Sequence, residues 1–387
     1  MLVLQDLGEW MKPLESWMYP PTTSTAEYPP SLETCSSVGT RLGNILASVH
    51  CDATLLLKSQ TLADNGNLWF ENPEAKDFVR DKIVGNILPI LRPWIDQDTG
   101  RAEKIAKIIS QDFEHSFLDT LHPSSSPFSG IQKLMFSTGD LWTGSIIVGT
   151  PSAASSSNPN FSGTEVEVGL IDWEFATPGR IGQDITQLSA WLYLFSTSSV
   201  WSSGEPRRRH VAMDTTATLS KSTPCHGQFR PDFRVVVSDG VGVEGGTKST
   251  TGEPQWWRSS AGSLLNALLK AYARKVKEYS THAWFVNEDY DQRKYRKERL
   301  AVIRSIWILF GMEIIYDSVE AKDRFFAGCG DGGEKEEEAK TWQRAVIEVG
   351  CWYVSRAGES TDEEFEVAVK NECLLGRMYT LSPSAKL

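Results

Sequence analysis

The chain has 387 residues, 40% of them hydrophobic, with fourteen Trp and a formal net charge of −11. That size and apolar content belong to a folded protein with a well-filled core, and the acidic balance argues against nucleic acid as a partner, because a phosphate backbone needs a basic surface. The six Cys (Cys35, Cys51, Cys225, Cys329, Cys351, Cys373) are scattered with no CxxC pair, which points to a reducing compartment and away from a zinc site.

Met1-Leu2-Val3-Leu4 reads as a short buried strand, with no basic segment or cleavage site of a secretory leader. The polar turn Gln5-Asp6-Leu7-Gly8 follows, and a Pro/Ser/Thr-rich link covers roughly Tyr19 to Pro30. Helical spacing then runs from Leu32 to Leu57, with Leu42, Ile45, Leu46 and Val49 on one face. Asn72-Pro73 is an N-cap followed by Pro at the first helical position, so a helix is expected from there to about Leu91. A third is expected from Gly100 to about Leu121.

The pattern then changes to strands: Gln132–Phe136, Ile146–Val148 and Val166–Asp172, the last two separated by a Ser/Asn/Pro/Gly-rich connection. Helical periodicity returns from Ile181 to Phe195. Ser196–Gln255 is dominated by Ser, Thr, Gly and Pro, and is expected to be a largely disordered insertion. Four helices are expected to complete the chain, over Trp256–Tyr279, Asp291–Val319, Lys335–Arg356 and Thr361–Tyr379. No apolar stretch approaches the ~20 residues that span a bilayer; the longest, around Ile303–Ile315, carries Arg304 and Glu313. A soluble, cytoplasmic protein without a membrane partner is expected.

The informative segment is Gly139-Asp140-Leu141-Trp142-Thr143-Gly144-Ser145, followed by Ile171-Asp172-Trp173-Glu174-Phe175. Phosphoryl transfer needs two separate carboxylate tasks. One carboxylate orients or deprotonates the acceptor hydroxyl, and the other holds the Mg²⁺ that bridges the nucleotide phosphates. Asp140 follows one strand and Asp172 ends another, with Ile146–Val148 between them in sequence. Both carboxylates can therefore reach one cleft.

These two segments resemble the catalytic and metal loops of the aminoglycoside phosphotransferase/choline kinase-like family, in particular those of methylthioribose kinase-like small-molecule kinases. Pro178-Gly179-Arg180-Ile181-Gly182-Gln183-Asp184-Ile185 resembles that group's segment after the metal loop, and Leu42 to His50 resembles its early C-lobe helix. Leu2 to Gly8 is similar to the hinge strand that contacts adenine. The resemblance implies an α+β, protein kinase-like fold: a mainly helical C-lobe with a short β-hairpin active-site region. Residues 1–8 would be the hinge remnant, 9–195 the lobe with both active loops, 196–255 the insertion, and 256–387 the C-terminal helical part. It implies ATP and Mg²⁺ as cofactors and a small hydroxylated molecule as acceptor. Asp140 matches the catalytic base, Asp172 the principal Mg²⁺ ligand, Glu174 the second carboxylate of an Asp-x-Glu signature, and Ser145 an auxiliary metal position. Gln5, Asp6 and Leu7 match the nucleotide-contacting hinge. Asp184 is read as structural, capping its helix and bracing the catalytic loop, and His50, His115 and His122 are given no chemistry. Trp142 and Trp173 either line the pocket or pack beneath it.

There are three departures. Thr138 stands where the family usually has His, and Glu313-Ile314-Ile315-Tyr316 lacks the Arg pair of a methylthioribose binder. No Gly-rich phosphate loop or strand Lys precedes a hinge that starts at Met1, so an N-lobe is expected to be encoded upstream and the chain alone to turn over negligibly. The rival expectation is a non-catalytic pseudokinase or scaffold that retains the fold.

Overall fold

Helical periodicity dominates the chain and helices dominate the computed structural model, which describes residues 11–19, 30–63, 72–95, 100–114, 135–149, 166–179, 182–202, 209–211, 235–237, 259–279, 292–325, 334–371 and 375. Strand β1 (Lys12–Pro13) leads into helix α1 (Leu14–Met18), followed by α2 (Leu32–Ala63). Ser31 caps α2, its Oγ accepting from the Thr34 amide at 3.1 Å. Of the expected apolar face, Leu42 and Leu46 are fully buried while Ile45 and Val49 are only half-buried; Cys35, Val38 and His50 are buried with the first two.

Asn72 caps α3 (Pro73–Phe78) as its sequence predicts, with Oδ1 accepting from the Ala75 amide at 3.0 Å. The expected single helix to Leu91 is interrupted, however. A π turn (Val79–Ile83) and a 3-10 turn (Val84–Asn86) precede α4 (Ile87–Leu91). Pro89 offers no N–H to the Gly85 carbonyl one turn earlier, so a regular ladder cannot pass through this stretch. Helix α5 (Arg101–Phe113) turns Ala102, Ile105, Ile109 and Phe113 inward, one apolar stripe at helical spacing.

Four short strands follow: β2 (Met135–Ser137), β3 (Ile146–Gly149), β4 (Glu167–Leu170) and β5 (Thr177–Gly179). β1, β3 and β4 form one antiparallel sheet, with Lys12 opposite Val148 and Ile146 opposite Leu170. β2 pairs instead with β5, Phe136 opposite Pro178. The pairing of β2 with β5 and the strand character of Thr177-Pro178-Gly179 were not expected, because Pro and Gly in a short run read as a turn.

Helix α6 (Gln183–Ser202) continues past Phe195, into the segment expected to be disordered. Within that segment β6 (Arg209–Val211) also pairs with β7 (Val235–Val237). The rest of 196–255 lies outside the described residues.

The remaining helices are α7 (Ser260–Glu278), α8 (Gln292–Glu320), the short α9 (Lys322–Phe325), α10 (Glu334–Glu359) and α11 (Asp362–Asn371). Thr361 and Glu364 form a reciprocal cap at the start of α11: each side chain accepts from the other's amide, at 3.3 and 3.0 Å. Helix α8 runs through the core. Its Trp307 is fully buried with ring centroids 5.0–5.5 Å from Phe365, Tyr353 and Trp352, and the helix packs against α4, α5, α6 and α10. Truncating a residue packed in this way costs roughly 3–5 kcal/mol, so this cluster ties α8 to α10. The architecture is mainly helical with small antiparallel sheets, an α+β arrangement. Among the described residues no helix is long and apolar enough to cross a membrane, and Cys35, Cys51 and Cys351 are free thiols.

Candidate functional site

The strand pairing places the two acidic loops side by side. One loop leaves β2, carries Asp140, and reaches β3 through a 3-10 turn at Thr143–Ser145. The other leaves β4, carries Asp172 and Glu174, and reaches β5. Because β3 pairs with β4 and β2 with β5, each loop is pinned to the other at both ends. Near one end the Ile171 amide donates to the Ser145 carbonyl at 2.9 Å. Near the other, Gly139 sits at φ +88°, and a Cβ there would lie 2.0 Å from the Phe175 carbonyl oxygen. Only glycine fits that position.

Asp140 is partly buried. Burial first, then the neighbouring carboxylates Asp172, Asp184 and Glu174, push its carboxyl up to about 6. Asp172 is exposed and adopts φ +69°, the left-handed region, which no other non-glycine residue does among the described residues. That backbone costs an L-residue on the order of 1 kcal/mol, with Asp among the more tolerant types. It ends β4 sharply, so Asp172 and the exposed Glu174 stand clear of the sheet. The Asn72 side chain donates to the Glu174 carbonyl at 2.8 Å, tying the cap of α3 to this loop, and Phe78 packs on Phe175 with centroids 5.7 Å apart.

Ser145, expected as an auxiliary metal position, has a structural part in the loop. Its hydroxyl is buried, accepts from the Trp142 amide at 3.0 Å, and is within hydrogen-bonding distance of the Asp140 and Trp142 carbonyls at 3.1 and 2.9 Å. It is committed to holding the loop closed behind Asp140.

Asp184, at the first turn of α6 and fully buried, braces the same loop from below. Its Oδ2 accepts from His50 Nε2 at 2.9 Å and the Thr138 amide at 2.7 Å; its Oδ1 accepts from Ser137 Oγ at 2.5 Å and the Gly139 amide at 3.2 Å. Burial alone would raise this carboxyl, but the His50 hydrogen bond and charge, with the Ser137 and Thr138 donors, hold it below the usual carboxylate range. The structural reading of Asp184 therefore holds. His50, by contrast, carries more than its sequence context reveals.

A second acidic group comes from α8, where Glu313 and Asp317 sit one turn apart and are both buried. Gln187 Nε2 donates to Glu313 Oε1 at 3.3 Å. Asp317 Oδ2 is buried without a hydrogen-bond partner; burial, then Glu313 and Asp140, raise its carboxyl well above the usual range. The half-buried Tyr316 hydroxyl is raised by burial and by Glu320, Asp317, Glu313 and Asp140. Asp140 thus lies between the exposed acids of one loop and the buried acids of α8. The sequence held only a weak trace of this second group: two acids four apart in an apolar helix.

Trp142 is half-buried, with Trp191 5.4 Å away and the Arg324 guanidinium 4.7 Å from its ring. Trp173 is 41% exposed, donates its indole N–H to the Leu170 carbonyl at 3.2 Å, and lies 6.1 Å from the Phe136 ring. Trp142 packs beneath the loop, whereas Trp173 lies at the protein surface. Gln5, Asp6 and Leu7 lie outside the described residues.

Among the described residues no group of three or more His, Cys, Asp or Glu is gathered as a metal site. Magnesium rarely needs such a cage: it keeps several waters and binds through one or two carboxylates plus substrate phosphates. Asp172 and Glu174 are both exposed carboxylates, the donor type such an ion takes. No protein-family model matches this chain, and no curated protein matches it.

Proposed function

We propose that the protein is an ATP- and Mg²⁺-dependent phosphotransferase that acts on a hydroxyl of a small metabolite, built on a protein kinase-like C-lobe. The observation that carries this reading is the paired-loop geometry. A half-buried Asp140 is pressed against an exposed Asp172–Glu174 loop by two strand pairings and by the Gly139–Phe175 contact.

In this reading Asp140 accepts the proton of the acceptor hydroxyl as that oxygen attacks the terminal phosphate. A carboxyl raised to about 6 is still ionised at neutral pH, yet basic enough to take a proton, the balance that general-base catalysis favours. Positioned proton transfer of this kind contributes roughly 10²–10⁴-fold. Asp172 and Glu174 would hold Mg²⁺, which when bound neutralises triphosphate charge. Ser145 and Asp184 supply no chemistry of their own; they fix the backbone on either side of Asp140. The buried acids Glu313 and Asp317 favour an acceptor rich in hydrogen-bond donors, hydroxyls or amines, in keeping with the acidic chain.

The test is ADP release across a panel of hydroxylated metabolites, using the longest open reading frame. Asp140→Asn should lower turnover by orders of magnitude without loss of folding, and wild-type turnover in that variant would remove the role. The second reading is a non-catalytic relative. The buried Thr138 hydroxyl, which has no hydrogen-bond partner, favours it, because loop support is incomplete at that position. A protein that binds Mg²⁺-ATP but releases no ADP with any acceptor would decide for this reading.

A further inference from the structure

We infer that Arg324 is a positioning residue for the Asp140 loop: it lies against the indole of Trp142, is held there by Glu15, and so clips the loop to the β1–α1 segment. The part that concerns turnover rests on the reading of Asp140 as the base; the rest stands on distances alone.

The loop turns back on itself after Asp140. A Cβ on Gly144 would lie 2.2–2.6 Å from three carbons of the Trp142 six-membered ring, so the indole is folded back against the 3-10 turn Thr143–Ser145. The Trp142 amide donates to Ser145 Oγ at 3.0 Å, and the Ser145 amide donates to the Trp142 carbonyl at 3.1 Å. Backbone and side chain of Trp142 therefore close the same turn, two residues after Asp140. The far side of the indole meets two other elements. Trp191 of α6 is 5.4 Å away, and Phe325 of α9 lies 5.2 Å from Trp191 and 4.9 Å from Phe195. Phe325 is buried and anchors α9. Its neighbour Arg324 places its guanidinium 4.7 Å from the Trp142 ring and 5.7 Å from the Trp191 ring, bridging the pair. The same guanidinium donates from Nη1 to Glu15 Oε2 at 3.1 Å.

Glu15 stands in the first turn of α1. The strand before it, β1, pairs with β3 at Ile147 and Val148, just after the loop ends. The β1–α1 segment thus holds the loop twice: by backbone pairing at its end, and through Glu15, Arg324 and Trp142 in its middle. A planar cation attracted to the face of an indole suits the second hold, because arginine can stack and donate to a carboxylate at once. The Arg324 and Glu15 side chains are 44% and 29% exposed, so their pair adds little to global stability. Its effect is local: it selects one placement of a half-buried indole, and with it one path for the chain from Asp140 to Ser145.

Three substitutions take the clip apart. Arg324→Met removes the charge and keeps an unbranched side chain, Arg324→Lys keeps a charge for Glu15 but loses the plane, and Glu15→Gln removes the ion pair alone. The experiment is hydrogen exchange at the Trp142 and Ser145 amides in the full chain, which needs no substrate. Exchange at both amides should be about three-fold faster or more in Arg324→Met, and faster by a smaller factor in the other two. It should be unchanged at the Thr138 and Gly139 amides, which Asp184 holds, and the urea midpoint should stay within error of wild type. Where Mg²⁺-ATP turnover is measurable, Arg324→Met should lower kcat with little change in KM for ATP, and Arg324→Lys should recover part of the loss. The inference is overturned if Arg324→Met leaves the Trp142 and Ser145 amides as protected as in wild type, if exchange rises equally at Thr138 and Gly139, or if the variant is globally destabilised or fails to fold. If the amides behave as expected but no acceptor is ever phosphorylated, the positioning role stands and the phosphotransferase reading falls.

Discussion

Gly139 and the Phe175 carbonyl are in such close contact that a methyl group on Gly139 would lie 2.0 Å from that oxygen. This contact joins the two acidic loops at a point where neither has a strand to hold it. Gly139→Ala must therefore both separate the loops and force an L-residue into φ +88°. The expected cost is about 1–3 kcal/mol, with loss of Mg²⁺-dependent nucleotide binding greater than the loss of stability would explain. Urea unfolding and nucleotide titration of the same variant check it; a variant that folds poorly but binds normally would separate the two loops functionally.

Asp140 has a folded-state pKa raised to about 6 from an ordinary value of 3.8. The native state then binds the proton more tightly than the unfolded chain. The associated stability is complete below the ordinary carboxyl pKa and is lost as pH rises through about 6. Asp140→Asn should thus be more stable than wild type at neutral pH and above by roughly 1–3 kcal/mol, and equal to it near pH 3. If Asp140 is the base proposed above, turnover should also fall with acidification through about pH 6, because a protonated carboxyl cannot accept a proton. Denaturation at two pH values decides the stability part.

The opposite sign applies to Asp184, whose carboxyl is held below the usual range. Its contribution is present above the unfolded pKa and lost as pH falls through the lower folded value. Asp184→Asn breaks a buried hydrogen-bonded pair with His50 and weakens the support for the Ser137–Gly139 backbone. At neutral pH it should cost about 3–5 kcal/mol, with the difference from wild type shrinking in acid. Chemical unfolding curves across the acid range measure this directly.

Asp317 supplies a separate check on α8. Its carboxyl is raised by burial, Glu313 and Asp140, so it behaves as Asp140 does: stability is lost as pH rises. Asp317→Asn removes that titration and should melt higher than wild type at about pH 8 and alike at about pH 4. Thermal melts at the two values suffice, and an Asn variant that melts lower at both would show that the carboxylate is satisfied in solution.

Much of this site was legible in the chain itself. The Asn72-Pro73 start, the long apolar helices and the two Asp-bearing loops all rest on local rules: a capping side chain, a period, a turn residue beside a carboxylate. What was missed depends on contacts remote in sequence. Thr177-Pro178-Gly179 becomes a strand only because Met135–Ser137 is there to pair with it. The Ser145 hydroxyl closes the loop behind Asp140, a contact that no local pattern announces. His50 looks like a core histidine until Asp184, 134 residues later, is placed against it. The helix extending to Ser202 was hidden by Ser and Thr, whose hydroxyls turn back to carbonyls three residues earlier, as at Thr197 and Ser198.

If Asp172 holds a metal-bound nucleotide while Asp140 serves the acceptor, the two residues must separate in a calorimetric titration with ATP. The protein expressed from its longest open reading frame should be titrated with and without Mg²⁺, beside Asp172→Ala and Asp140→Asn. Binding should require Mg²⁺, be lost in Asp172→Ala, and persist in Asp140→Asn. Binding that is indifferent to Mg²⁺, or unchanged in Asp172→Ala, would contradict it.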